Sequence, residues 1–162
     1  MAGIGQIEAT DFVLRQCRID DCGAIHRLNR DVLGYSFPPD ATEQKIRRAL
    51  ASGRDFIAVA ECENRVIGYI HAVDYDVLYA PPYKDILALA VSIEHQRSGV
   101  GRALLDAVER WAGESGAAGI RLVSGSYRIG AHEFYKKCGY ICSKEQYNFK
   151  KMIMSDGKQR AD

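Results

Sequence analysis

The run Leu89-Ala90-Val91-Ser92-Ile93-Glu94-His95-Gln96-Arg97-Ser98-Gly99-Val100-Gly101-Arg102-Ala103 decides how the chain is read. It continues an apolar stretch, Ile86 to Val91, bounded by Asp85 and Ser92, the pattern of a central strand buried on both faces. It then opens the clearest helix in the chain, where Val100, Ala103, Leu104, Ala107, Val108 and Trp111 recur at helical spacing and Arg102, Asp106, Glu109 and Arg110 take the other side. Gly99 and Gly101 remove side chains at the first turn, so the backbone N–H groups of about Arg97 to Arg102 are left to face an anion. The helix dipole, Arg97 and Arg102 favour negative charge there. A diphosphate suits such a site, and a ligand-free tight turn uses the same glycines. No Gly-x-x-x-x-Gly-Lys-Ser/Thr string occurs, which removes the Walker loop. A dinucleotide fingerprint needs glycine or alanine where Leu104 stands and belongs near the first strand.

Working outward, 162 residues with 47% hydrophobic and 27% charged positions match a single domain, with a core expected over about 12–153 and fraying ends. A chain of this size buries roughly 70% of its unfolded surface and closes a core without metal or disulfides. Twenty-two basic against 21 acidic residues give a net charge of +1, too little for a broad field toward nucleic acid or anionic lipid. Cys17, Cys22, Cys62, Cys138 and Cys142 are odd in number and follow no framework, which fits a reducing cytoplasm. No run approaches the roughly 20 apolar residues of a membrane helix, and Met1 to Thr10 lacks a secretory pattern.

Phe12 to Arg18 alternates as a strand, and Asp20 and Asp21 can cap a helix through Ile25, Leu28, Val32 and Leu33. Asp40-Ala41-Thr42-Glu43 has the spacing of a capping-box variant opening a second helix that Gly53 ends. Phe56 to Cys62 and Val66 to Val73 form a hairpin around Glu63-Asn64-Arg65. After the Val100 helix come a strand at Ile120 to Val123, a helix from about Ile129 to Cys138 stopped by Gly139, and strand material from Tyr140 to Ile153. Mixed strands and helices of this order predict an α/β or α+β sheet protein.

Gln96-Arg97-Ser98-Gly99-Val100-Gly101 resembles the pyrophosphate loop Gln/Arg-x-x-Gly-x-Gly/Ala of the GNAT superfamily of acyl-CoA-dependent N-acyltransferases. Leu89-Ala90-Val91 is similar to that family's central strand, and Ala131-His132-Glu133-Phe134-Tyr135-Lys136-Lys137-Cys138-Gly139-Tyr140 to its Ala-x-x-Phe-Tyr-x-x-x-Gly-Phe/Tyr helix. The likeness extends over about Phe12 to Ile153. It departs at Ile93, where the family often has proline, and at Arg128, where it commonly has asparagine.

The resemblance implies a mostly antiparallel sheet flanked by helices and splayed beside the central strand, with acetyl-CoA as co-substrate and no metal. Leu89, Ala90 and Val91 would bond pantetheine, and Gln96, Arg97, Ser98, Gly99, Val100, Gly101 and Arg102 the phosphates. Arg128 and Ala131 would lie at the cofactor, with Arg128 reaching pantetheine or a phosphate oxygen. The Val91 N–H would stabilise the tetrahedral oxyanion, and Tyr135 would protonate the departing CoA thiolate. Family members often pair into dimers, so a homodimer is compatible with the resemblance.

An alkylammonium with pKa near about 10 must lose a proton before it attacks. Asp74, Asp76, Asp85 and Glu94 are the candidate bases, Asp85 foremost, while Tyr69, Tyr75, Tyr79 and Tyr83 can pack around a cation. Cys138 and Cys142 with His132 fall short of a zinc set, and His132 and Cys138 lie on different helix faces. Gly113-Glu114-Ser115-Gly116-Ala117 lacks the final glycine of a hydrolase elbow. His26, His71 and His95 have no sequence partners that mark them out. The expected activity is acetyl transfer to an amine by direct attack. The rival is a silent acyl-CoA-binding or regulatory module, and a nucleic-acid binder is more distant.

Overall fold

Two tight hairpins set up the sheet. In the computed structural model, which describes residues 11–153, Glu63 and Asn64 both take positive φ (48° and 60°) and join β2 (Asp55–Cys62) to β3 (Arg65–Val77). Such a two-residue turn matches the right-handed twist of the strands it connects. Exposed Leu78 and Tyr79 then join β3 to β4 (Ala80–Val91). Both strands outrun the predicted segments, because each lends the other its hydrogen bonds as far as Val77 and Ala80. With β1 (Val13–Gln16) and β5 (Gly119–Leu122) the sheet order is β1-β2-β3-β4-β5. Every pairing is antiparallel except β4 with β5, so the fold is the mixed, mostly antiparallel sheet flanked by helices that was expected.

Helices cover both faces. α3 (Val100–Glu114) turns Val100, Leu104, Leu105, Ala107, Val108 and Ala112 inward, and all six are buried. Gly68 on β3 makes room for it. A Cβ there would lie 2.9 Å from the Ala90 carbonyl oxygen and 3.3 Å from side-chain carbons of Leu104 and Val100. Gly68→Ala is therefore expected to cost about 1–3 kcal/mol through overpacking, as a lowered denaturation midpoint; an unchanged midpoint contradicts this packing. On the opposite face α1 (Cys22–Leu28) and α2 (Pro39–Ser52) bury Ile25, Leu28 and Ile46 against Cys17, Ile57, Val59, Tyr69 and Ala90.

Local chemistry revises several expectations. Asp40 does not cap α2, because Pro39 occupies the first helical position, where no N–H is needed, and the Pro38 carbonyl accepts the Thr42 N–H at 2.9 Å and its hydroxyl at 3.0 Å. Gly53 does end α2, at φ 68°. The first helix is interrupted, preceded by a 3-10 turn (Ile19–Asp21) and followed by a π turn (Asn29–Leu33). Arg15 joins β1 to that start, donating to both Asp21 oxygens at 2.8 and 2.9 Å and to Glu61 at 2.7 Å.

Among the described residues, those up to Gly125 form one compact unit and those from Ser126 form a second. In the second, α4 (Ile129–Lys137) closes as expected at Gly139, φ 88°. The Tyr140 N–H bonds the Tyr135 carbonyl at 3.0 Å and the Gly139 N–H the Lys136 carbonyl at 3.0 Å, the Schellman pattern. The strand expected over Tyr140 to Ile153 is absent. Ile141, Tyr147, Phe149, Met152 and Ile153 are exposed, and alternation makes no strand without a paired neighbour to supply the ladder. The fraying expected of the two ends concerns residues 1–10 and 154–162, outside the described residues. No helix among the described residues is long and apolar enough to cross a membrane.

Candidate active site

The β4 strand changes character midway. Its parallel pairing with β5 covers Tyr83 to Ile86 and stops, while β4 continues to Val91 beside β3. At the same place the β3 register shifts: His71 faces Ala88 and Ala72 faces Ile86, which leaves Leu87 as an extra residue. A bulge of this kind bends its strand and strengthens the local twist. It also explains why Leu87, expected to be buried on both faces, is 54% exposed.

The backbone beyond the bulge presents an open edge. The Ser92 N–H returns to the Ile67 carbonyl of β3 at 2.8 Å. Since successive N–H groups of a strand point to alternate sides, those of Leu89 and Val91 face away from β3, toward the edge that β5 leaves unpaired. The Val91 carbonyl lies on that side too and accepts a hydrogen bond from Gln96 Nε2 at 3.2 Å. Gln96 thus closes the turn back onto the strand end.

Between β4 and α3 the chain is tightly folded. A 3-10 turn (Ile93–His95) carries exposed Ile93, Ser92 Oγ and His95 Nδ1 lie 2.8 Å apart, and Ser98 Oγ donates to the His95 carbonyl at 2.5 Å. Arg97 takes φ 61° and Gly99 φ 87°, left-handed conformations that curl the backbone just ahead of the helix. The first helical bond is Ala103 N–H to Gly99 at 3.0 Å, and no side chain caps the helix, so the N–H groups of Val100, Gly101 and Arg102 precede the ladder. A Cβ built on Gly99 would meet no atom within 4 Å. The cradle has donors and space, and therefore fits a diphosphate. Arg97 is exposed within the turn, while Arg102 lies along α3 with Nε 2.7 Å from Asp106 and Nη2 3.6 Å from Glu109.

The structure thus brings Leu89, Ala90, Val91, Gln96, Arg97, Ser98, Gly99, Val100, Gly101 and Arg102 together. Arg128, Ala131 and Tyr135 share α4 or its N-terminal edge in the second unit. Arg128 is the residue before that helix, with its guanidinium 5.7 Å from the Tyr127 ring centre. Tyr135 packs between Phe134 and Tyr140, ring centres 5.2 and 5.8 Å away, and burial pushes its pKa up to about 12.

The acidic candidates separate. Asp85 accepts from Arg121 at 2.9 Å; burial raises its pKa while the guanidinium opposes the rise. Asp74 is held by Lys84 at 2.5 Å. Tyr69, expected near a cation, is buried and donates to Asn29 Oδ1, and Tyr75 already carries the Arg121 guanidinium, 4.3 Å from its ring centre.

Two arrangements had no sequence signal of their own. Lys84 is only 6% exposed, its ammonium 3.7 Å from the Trp111 ring centre on the α3 face. His71 Nε2 lies 2.7 Å from Asp55 Oδ1 across the β2–β3 hairpin. Reading Glu63-Asn64 as a two-residue turn would have put Asp55 within one register step of His71.

Comparison with known proteins identifies the family and the fold. The sequence profile of the acetyltransferase (GNAT) family matches residues 23–140. An uncharacterised N-acetyltransferase of Chlorobaculum tepidum is 28% identical over 139 residues, covering 86% of this chain and 81% of the relative. Among solved structures, the aminoglycoside N-acetyltransferase AAC(6')-Iy in complex with CoA superposes with a TM-score of 0.80 at 16% identity, over 91% of this chain and 99% of that one. The aminoglycoside 6'-N-acetyltransferase AAC(6')-Ih of Acinetobacter baumannii gives 0.77 at 17% identity, over 89% and 100%. At these identities the structures establish a shared fold. With a family profile spanning most of its length and a strand edge and helix start built as described, the chain belongs to the acetyltransferase (GNAT) family and is an N-acetyltransferase.

Proposed function

We propose that the protein moves the acetyl group of acetyl-CoA to a primary amine on a small acceptor, by direct attack within a ternary complex. The observation that supports this best is the meeting of the β4 edge beyond its pairing with β5, Leu87 to Val91, with a helix start that no side chain caps and whose Gly99 faces open space. The pyrophosphate would rest on the N–H groups of the 97–102 turn, with Arg97 adding charge and Gln96 and Ser98 holding the loop closed. Pantetheine would bond the free edge of Leu89, Ala90 and Val91 as an added strand does.

In this reading the chemistry is divided among three groups. The Val91 N–H, turned to the open edge, donates to the thioester oxygen and strengthens that bond as the oxygen becomes anionic. Tyr135, neutral because burial raises its pKa, supplies the proton for the CoA thiolate. Arg128 and Ala131, beside Tyr135 on the same helix, would border the coenzyme. Asp85, held by Arg121, is the carboxylate we assign to drawing the ammonium toward the sheet. Holding both substrates in one complex supplies much of the rate without a covalent enzyme intermediate. None of the five cysteines forms a disulfide, which suits the reducing cytoplasm we propose as its setting.

The aminoglycoside enzymes that share the fold make amino sugars the first acceptors to try, with polyamines, amino acids and peptide amines beside them. Release of free thiol from acetyl-CoA on adding one of these amines is the expected result. Tight CoA binding with no thiol release across the whole panel would contradict transfer and indicate a silent binding module.

A further inference from the structure

Resting on that reading, we infer that His71, held by Asp55, takes the proton from the incoming ammonium. Helix α3 and the coenzyme together fix the direction from which an amine can approach. α3 covers one face of the sheet beside β4, with Val100 and Leu104 packed at Gly68. Pantetheine on the open edge would fill the plane of the sheet. An amine must then reach the thioester from the other face.

His71 stands on that other face. Its cross-strand neighbours, Ile57 on β2 and Ala88 on β4, both belong to the cluster beneath α1 and α2. Ala88 is the residue between the bulge at Leu87 and the open-edge residue Leu89, so His71 is placed beside the strand segment that would hold the acyl group. Ala88 itself is half-buried against that cluster. The His71 side chain is 25% exposed and Asp55 16%, enough to meet a ligand while remaining fixed.

Hydrogen bonding sets the tautomer. Asp55 is an acceptor, its Oδ2 already engaged by the Ser52 hydroxyl at 2.5 Å, so the 2.7 Å contact from Oδ1 is to a His71 Nε2–H. Nδ1 is then the basic nitrogen. Asp85 is less suited, because accepting a proton there gives up its attraction to Arg121. The charged and titratable groups sharing this face with His71 are Cys17 after β1, Asp55 from β2, Tyr69 and Tyr75 from β3, Tyr83 and Asp85 from β4 and Arg121 from β5, while the helix side contributes Cys22 and, near Tyr69, Tyr35 besides apolar Val32 and Leu33.

The ammonium gives one proton to Nδ1, and the freed lone pair forms the C–N bond. The C–S bond breaks with its electrons on sulfur, and Tyr135 protonates that thiolate. The second proton shed by nitrogen as it becomes an amide restores Tyr135 through solvent. His71 releases its proton to solvent, so the balance is amide, thiol and one proton. Asp55 acts as a positioning residue.

The test is single-turnover thiol release from bound acetyl-CoA with ethylamine, an ammonium at neutral pH, and with methoxyamine, already neutral there. His71→Gln and, as a second variant, His71→Asn are expected to lose about 100-fold with ethylamine and little with methoxyamine. Asp55→Asn is expected to give a smaller loss with the same difference between the two amines. Equal losses with both amines, or none with either, would overturn the role of His71 alone. A wild-type protein that binds CoA yet releases no thiol with either amine would overturn it together with the transfer reading.

Discussion

Tyr135→Phe is expected to slow acetyl transfer by about 100-fold or more while leaving CoA affinity unchanged. The reason is confined to one atom. Phenylalanine keeps the ring that lies 5.2 Å from Phe134 and 5.8 Å from Tyr140 between ring centres, so α4 retains its packing. What disappears is an acidic hydrogen. Burial pushes the phenol up to about 12, so it carries that hydrogen throughout the neutral range. The sign follows directly: a raised phenol pKa keeps the acid form present at every pH below it, and Tyr135 causes no loss of rate between neutrality and that value. Any acid-side fall in rate must then come from the base or from protonation of the amine. Single-turnover measurements with CoA binding measured in parallel check this, and an unaltered rate would remove Tyr135 from the acid role.

Gly99→Val is expected to leave a folded protein that binds CoA about 10- to 100-fold less tightly, or about 1.4–2.7 kcal/mol. At φ 87° a β-branched residue is strained, which lowers stability by about 1–2 kcal/mol. The larger effect falls on the ligand. No protein atom lies within 4 Å of a Cβ at this position, so the added methyl groups occupy the hollow intended for phosphate. Titration calorimetry with CoA, run on protein shown to unfold cooperatively, distinguishes the two effects. Undiminished affinity in such a variant would mean that the phosphates lie elsewhere.

The contrast between α3 and β4 shows what a sequence can and cannot disclose. In α3 the apolar positions follow the helical period over fifteen residues, so the buried face was readable without a partner. The glycines before it were equally legible, since the backbone geometry they permit is a local property. The Leu87 bulge was not, because it arises from how β4 is counted against β3, and an apolar run looks the same with or without an extra residue. Lys84 gave no signal for a related reason. A charged residue between Tyr83 and Asp85 reads as solvated, yet β4 turns it under Trp111, where Asp74 and the indole face replace water. The His71 and Asp55 contact shares this origin, since two residues sixteen apart become neighbours only once the hairpin register is fixed. Tyr140 to Ile153 shows the reverse failure, alternation without a partner strand.

The most direct measurement is a crystal structure of the protein with CoA. The pyrophosphate is expected on the N–H groups of the Arg97 to Arg102 turn, and the pantetheine amides on the free edge of Leu89 to Val91. Coenzyme bound at any other place, with that turn and that edge vacant, would contradict this placement.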